Sequence, residues 1–207
     1  EQQKLKKILQ RLAELGTLFT QNLLKDERDW SLIVTEKDLI GCPQFIKDAA
    51  SEAAKERGID GYIITLSRSL IVPFLQFSPR RDLRQKAFSA WELRGANPGK
   101  TNNLDIVQET LTLRQERATL LGHNTFSEFK LETEMARKPE KVTELLMAVW
   151  EPAKLMANRD AKILTEMMQA DGFHEKFLPS DWRYYSEKRR ASEHDLNETE
   201  LKPYFQL

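Results

Sequence analysis

Cysteine is nearly absent from this chain of 207 residues, where Cys42 stands alone. One thiol forms no internal disulfide and no cysteine zinc cluster. Net charge is missing as well: Lys plus Arg and Asp plus Glu each number 32, and the formal charge is zero. A balanced chain lacks the cationic surplus by which proteins hold nucleic acid or an anionic membrane, so neither is expected as a partner. No apolar run approaches the roughly 20 residues of a membrane span. Fixed-period repeats and low-complexity tracts are also lacking.

Catalytic motifs are equally scarce. The histidines are His123, His174 and His194, and none stands four residues from another, the spacing that puts two ligands on one helical face. His174-Glu175 approaches a zincin pattern, but the next ligand position holds Leu178, followed by Pro179. Surface or capping roles are expected for all three. Gly99-Lys100-Thr101 superficially matches a phosphate loop. The glycine required five residues earlier is Arg94, however, and no strand precedes it, so that motif is rejected. Arg80, Arg81, Arg84 and Lys86 crowd one segment, but Asp82 and Glu92 dilute them, and a solvated helix outweighs a phosphate site. No nucleophile motif supports a Ser/His/Asp or Cys/His triad. The residues alone therefore assign no catalytic and no metal-ligating position.

What is present is mainly helical periodicity, on 40% hydrophobic and 31% charged residues. Leu5, Ile8, Leu12, Leu15 and Phe19 alternate at three and four, an apolar stripe on one helix. Trp30–Val34 and Gly61–Leu66 are the only strand candidates, rich in β-branched and aromatic residues. Between them Thr35 and Asp38 form a capping-box-like start, and Pro43 to Arg57 is expected to be a helix closed by Gly58. Leu70–Phe77 is expected to be a short helix with Pro73 in its first turn. Another amphipathic helix follows Pro79, with Leu83, Ala87 and Trp91. Gly95–Asn103 is the clearest break and a candidate sub-boundary. Ile106 to Leu121 forms a helix ended by Gly122, and Phe126 to Ala136 opens the next. From Pro139 to Gly172 runs the longest helix, roughly 50 Å at about 1.5 Å per residue, with a kink expected near Pro152. Its methionines, and Met147, Met156, Met167 and Met168 in particular, are expected to fill core. Ser180 caps a last helix on which Trp182 and Tyr185 share a face. Asn197 and Glu200 form a second cap, and Pro203 ends its turn. The fold class is mainly α, with long antiparallel helices and at most one small two-stranded ribbon.

The segments EQQKLKKILQRLAELGTLFTQNLL, YIITL, RRDLRQKAFSA, RATLLGHNTFSEFKLETEMARKPEKV, DWRYYSEKRR and ETELKPYF, in that order, resemble the zinc metallopeptidase family of thimet oligopeptidase. Within it they are most similar to bacterial peptidyl-dipeptidase, or dipeptidyl carboxypeptidase. The likeness runs through nearly all 207 residues and is most specific in LLGH…EMARKP and DWRYY…LKPYF; Lys138 departs from it where a capping hydroxyl is usual. The resemblance implies a cytoplasmic enzyme that releases dipeptides from the C-terminal ends of short oligopeptides. It also implies zinc held by an H-E-x-x-H helix and a further glutamate, all beyond Leu207, so this chain is expected to bind no zinc and to supply channel wall. The opening EQQKLKK, already in helical pattern, and the closing Tyr204 and Phe205 are what an internal piece would show. On that reading the stripe 5–19 and Trp182, Tyr185, Tyr204 and Phe205 would face missing catalytic segments of the same protein, and the isolated piece would either self-associate or be only marginally stable. The alternatives are an internally cutting oligopeptidase and a non-catalytic helical protein that binds peptides or a partner helix.

Overall fold

The computed structural model describes residues 1–194; the expected cap at Asn197 and Glu200, its stop at Pro203, and Tyr204 and Phe205 lie outside them. Among the described residues there are eight α-helices and one two-stranded antiparallel ribbon. The chain divides into two compact units, one of Glu1–Glu27 with Leu93–Ala157 and the other of Arg28–Glu92 with Asn158–Leu207.

In the second unit, β1 (Leu32–Val34) pairs with β2 (Tyr62–Ile64), Ile33 opposite Ile63. Both strands are shorter than their apolar runs. Ile63 and Ile64 point to opposite faces, yet both are fully buried, whereas Ile33 is 67% exposed. Cover therefore lies on both faces of β2. Part of it is α2 (Gln44–Glu56), which buries Ile46, Ala50 and Ala54, a row at intervals of four whose small residues permit close approach. The Thr35–Asp38 capping box forms as expected and opens a single 3-10 turn, Glu36–Leu39. Gly58, at φ +66°, ends α2, where Arg57 Nη1 donates to the Trp30 carbonyl at 3.0 Å.

Helix α3 (Arg68–Phe77) sends Leu70, Ile71, Phe74 and Leu75 into the same core. It begins two residues before Leu70, so Pro73 lies in the second turn and not the first. Proline there offers no N–H to the Ser69 carbonyl, a loss set against four buried apolar side chains. Helix α4 (Arg81–Glu92) adds Leu83 and Ala87. The chain's last described helix, α8 (Pro179–His194), places Tyr185 against Leu164 and Met168 of α7 (Pro139–Ala170), with Phe173, Phe177, Trp182 and Tyr184 around them. Trp182 and Tyr185 thus share a face, on which Tyr185 is fully buried and Trp182 half-buried.

The first unit holds α1 (Gln2–Asp29) up to Glu27, α5 (Leu104–Leu120), α6 (Phe126–Leu131) and α7 as far as Ala157. Ile8 and Leu15 of the α1 stripe are buried here, while Leu5 and Leu12 are half-buried and Phe19 is exposed. Arg11 binds Glu109 through Nε at 2.6 Å and Nη2 at 2.9 Å, and Lys4 meets Glu116 at 3.4 Å, so α1 and α5 run antiparallel. The break at 95–103 is a loop fastened to α1. Asp26 accepts from the Gly95 amide at 2.8 Å, Asn97 Nδ2 at 3.1 Å and Thr101 Oγ1 at 2.5 Å, while Asn103 bonds Asn22 and the Phe19 carbonyl. The Gly95, Asn97 and Thr101 donors of the loop are thus taken up by a carboxylate of the same unit.

Helix α6 ends at Leu131 instead of Ala136, and turns occupy the stretch up to Arg137, whose φ is +59°. Helix α7 then starts on Pro139 and continues through Pro152. Only Leu164 and Met168 are buried along it. Core filling therefore holds for Met168 and fails for Met147 and Met156, which are half or more exposed. The apolar stripe of an amphipathic helix is normally packed on a core, yet Leu145, Leu146, Val149, Trp150 and Leu155 stand exposed.

Candidate functional site

Two clusters of polar and charged groups stand out, one in each unit. In the second, Asp181 gathers the arginines that invited a phosphate reading. Arg81 Nε and Nη2 donate to its carboxylate, each at 3.0 Å at closest, and Arg84 Nη2 donates at 3.1 Å. The Asp181 side chain is 0% exposed and that of Arg84 1%. Arg84 also donates to the Ser78 carbonyl at 2.7 Å and lies 4.2 Å from the Tyr184 ring centroid. Arg80 is bound to Asp38 and Asp82. These guanidiniums are committed to carboxylates, and the cluster ties α4 to α8.

Asp181 does a second task here. Its carboxylate accepts from the Leu178 amide at 3.0 Å and so caps α8. Ser180, the expected cap, is instead buried in the first turn with its hydroxyl unpartnered. Burial pushes the Asp181 carboxyl up, but hydrogen bonds from Arg81, Leu178 and Arg84 outweigh it and hold the group below its usual range. Burial lowers Arg84, with Asp181 opposing. Burial, helped by the charge of Asp171, pushes Tyr185 up to about 12. The central pair of this cluster, Asp181 and Arg84, is closed to solvent.

The first unit carries the opening that can receive one. Helices α1, α5 and α6 frame an open groove of about 880 Å³, with Leu12, Leu15, Phe19, Val107 and Leu111 supplying its apolar wall. Gly16 lies in that wall, at mid-helix in α1, and a Cβ built on it would meet nothing within 4 Å. Along α5 the lining passes from Val107 and Leu111 to Arg114 and Arg117, and Lys130 of α6 joins that cationic end. Arg114 lies 5.2 Å from the Phe126 ring and Arg117 4.8 Å from Phe129. Such stacking orients a guanidinium without neutralising it. Sequence reasoning missed this grouping, although Val107, Leu111 and Arg114 do follow the three-and-four spacing of a single face.

The histidines are dispersed. His123 packs edge-on to Phe129 and lies 3.8 Å from Glu132; His174 follows α7, and His194 ends α8. Among the described residues no group of three His, Cys, Asp or Glu side chains could hold a metal ion. The side chains described thus do not fit a zinc site. Nor, among them, is any helix long and apolar enough to cross a membrane.

Neither the buried charge cluster nor the open groove identifies a class by itself, and comparison with known proteins supplies it. Residues 74–207 match Peptidase family M3, and the chain belongs to that family. It is 34% identical over 210 residues to "Oligopeptidase A" of Haemophilus influenzae, covering 99% of this chain and 31% of that protein. "Dipeptidyl carboxypeptidase" of Escherichia coli is 30% identical over 208 residues, covering 99% and 30%. "Saccharolysin" of Saccharomyces cerevisiae is 24% identical over 212 residues, covering 99% and 29%. The chain thus spans under a third of the length of these relatives.

Proposed function

We propose that this chain is part of a cytoplasmic zinc-dependent peptidase that releases dipeptides from the C-terminal ends of short oligopeptides. Its helices serve as channel wall, and the catalytic centre belongs to other segments of the same protein. The observation that carries this reading is the match to Peptidase family M3 over residues 74–207. Similarity over 99% of the chain to a dipeptidyl carboxypeptidase supports the dipeptide-releasing form. The 34% identity to an oligopeptidase favours a second form, cleavage within the peptide.

Two measurements test the proposal. The isolated chain should cleave no peptide and retain no zinc after dialysis; one-to-one zinc together with chelator-sensitive cleavage would overturn the channel-wall role. An encoding frame that continues past Leu207 should contain H-E-x-x-H, and its full product should release dipeptides from free C-termini. Mass spectrometry showing only internal cuts would select the second form. A stop codon directly after Leu207 would favour a non-catalytic peptide-binding protein.

A further inference from the structure

We infer that the groove between α1, α5 and α6 is a binding site for the carboxylate end of a short peptide, taken in with apolar residues toward Phe19. Three features converge on it, of which the first is unbalanced charge. The chain carries equal numbers of cationic and anionic residues, yet Arg114, Arg117 and Lys130 line the groove and no carboxylate does. Three acids of the flanking helices are engaged elsewhere: Glu109 with Arg11, Glu116 with Lys4, and Glu128 with the Thr125 cap. Arg117 Nε is buried and has no hydrogen-bond partner. That atom is shielded from the groove, so an entering carboxylate would be met with charge-assisted bonds by the exposed cations of this end, Arg114 and Lys130.

The second feature is glycine in the middle of α1. Glycine there costs roughly 0.5–1 kcal/mol relative to alanine, and at Gly16 no atom of this chain requires it, because an added Cβ finds open space. What glycine does at this position is keep the groove wide. The third is the gradient of the lining. From Val107 to Arg117 the wall of α5 passes from apolar to cationic over about 15 Å, a length that takes roughly four extended residues. Thr110 lies along the same wall and Thr20 on the facing wall of α1; the Thr20 hydroxyl donates to the Gly16 carbonyl at 3.0 Å and is left to accept from a peptide N–H. The choice of a peptide as occupant rests on the proposed peptidase function, whereas the carboxylate and the apolar body follow from the lining.

The test is direct binding to this chain, by calorimetry, of an apolar tetrapeptide as free acid, its C-terminal amide, and a medium-chain fatty acid. The free acid should bind, and the amide at least tenfold more weakly. Arg114→Gln and Lys130→Gln, both on exposed side chains, should each weaken the acid several-fold and leave the amide unchanged. Gly16→Met should abolish binding while the helical circular dichroism stays intact. Equal affinity for acid and amide, undiminished binding by Gly16→Met, or binding of the fatty acid alone would each overturn the inference, as would no binding at millimolar peptide. Dipeptide release by the full protein is scored separately. Release that survives with the groove unable to bind would sink this inference and leave the peptidase function standing.

Discussion

Replacing Asp181 by Asn should cost this protein more than any other single change of one atom. The substitution preserves shape and removes the negative charge on which two guanidiniums and one helix end converge. The bonds at stake are those from Arg81 Nε and Nη2 at 3.0 Å, Arg84 Nη2 at 3.1 Å and the Leu178 amide at 3.0 Å. An asparagine can keep one oxygen acceptor, but its NH₂ would then face an arginine. Arg84, with a side chain 1% exposed, would be left as a buried cation without its counter-charge. Removing one partner of a buried pair typically costs about 3–5 kcal/mol, against a whole-domain stability of about 5–15 kcal/mol. Urea unfolding followed by fluorescence of Trp91 and Trp182 measures it. The sign with pH follows from the depressed Asp181 carboxyl. Its contribution is present above the unfolded aspartate value near 3.9 and is lost as pH falls below about 4 toward the folded value. Asp181→Asn should flatten that acid limb. A loss under ~1 kcal/mol, or an unchanged limb, would refute the account of Asp181 as the hub joining α4 to α8.

Three further outcomes are expected. Gly95→Ala should destabilise the first unit by at least about 1–3 kcal/mol, because Gly95 sits at φ +71° and its Cβ would come within 2.8 Å of Leu23 Cδ2 and 2.9 Å of Asn103 Nδ2; limited proteolysis at 97–100 reports the loosened loop. Tyr185, pushed up to about 12 from the usual 10.0, should ionise only as the fold gives way. Its share of stability is complete below pH 10 and falls as pH rises from there toward 12, as difference absorbance with circular dichroism would show. The exposed apolar length of α7, not the α1 stripe, should drive self-association of the isolated chain; Leu145→Glu with Leu155→Glu should shift sedimentation toward monomer, and an unchanged profile would place the contact elsewhere.

The local grammar of this protein is written in its sequence. Thr35 and Asp38 announce their capping box, Gly58 the end of α2, Pro139 the start of α7, and the two β-branched runs the ribbon, because each depends on residues a few positions apart. The segment order alone also carried the family resemblance. Tertiary structure decided everything that rests on distant partners. Pro73 is tolerated in mid-helix because Leu70, Ile71, Phe74 and Leu75 are buried around it. Asp181 became cap and charge hub because Arg81 and Arg84, about a hundred residues earlier, reach it. Ile8 and Leu15 of the stripe 5–19 found cover on their own chain, whereas Phe19, Met147 and Met156 did not. The groove was invisible for the same reason. Gly16, Arg114, Arg117 and Lys130 meet only when α1, α5 and α6 pack, and no periodicity along one helix records what stands across the gap from it.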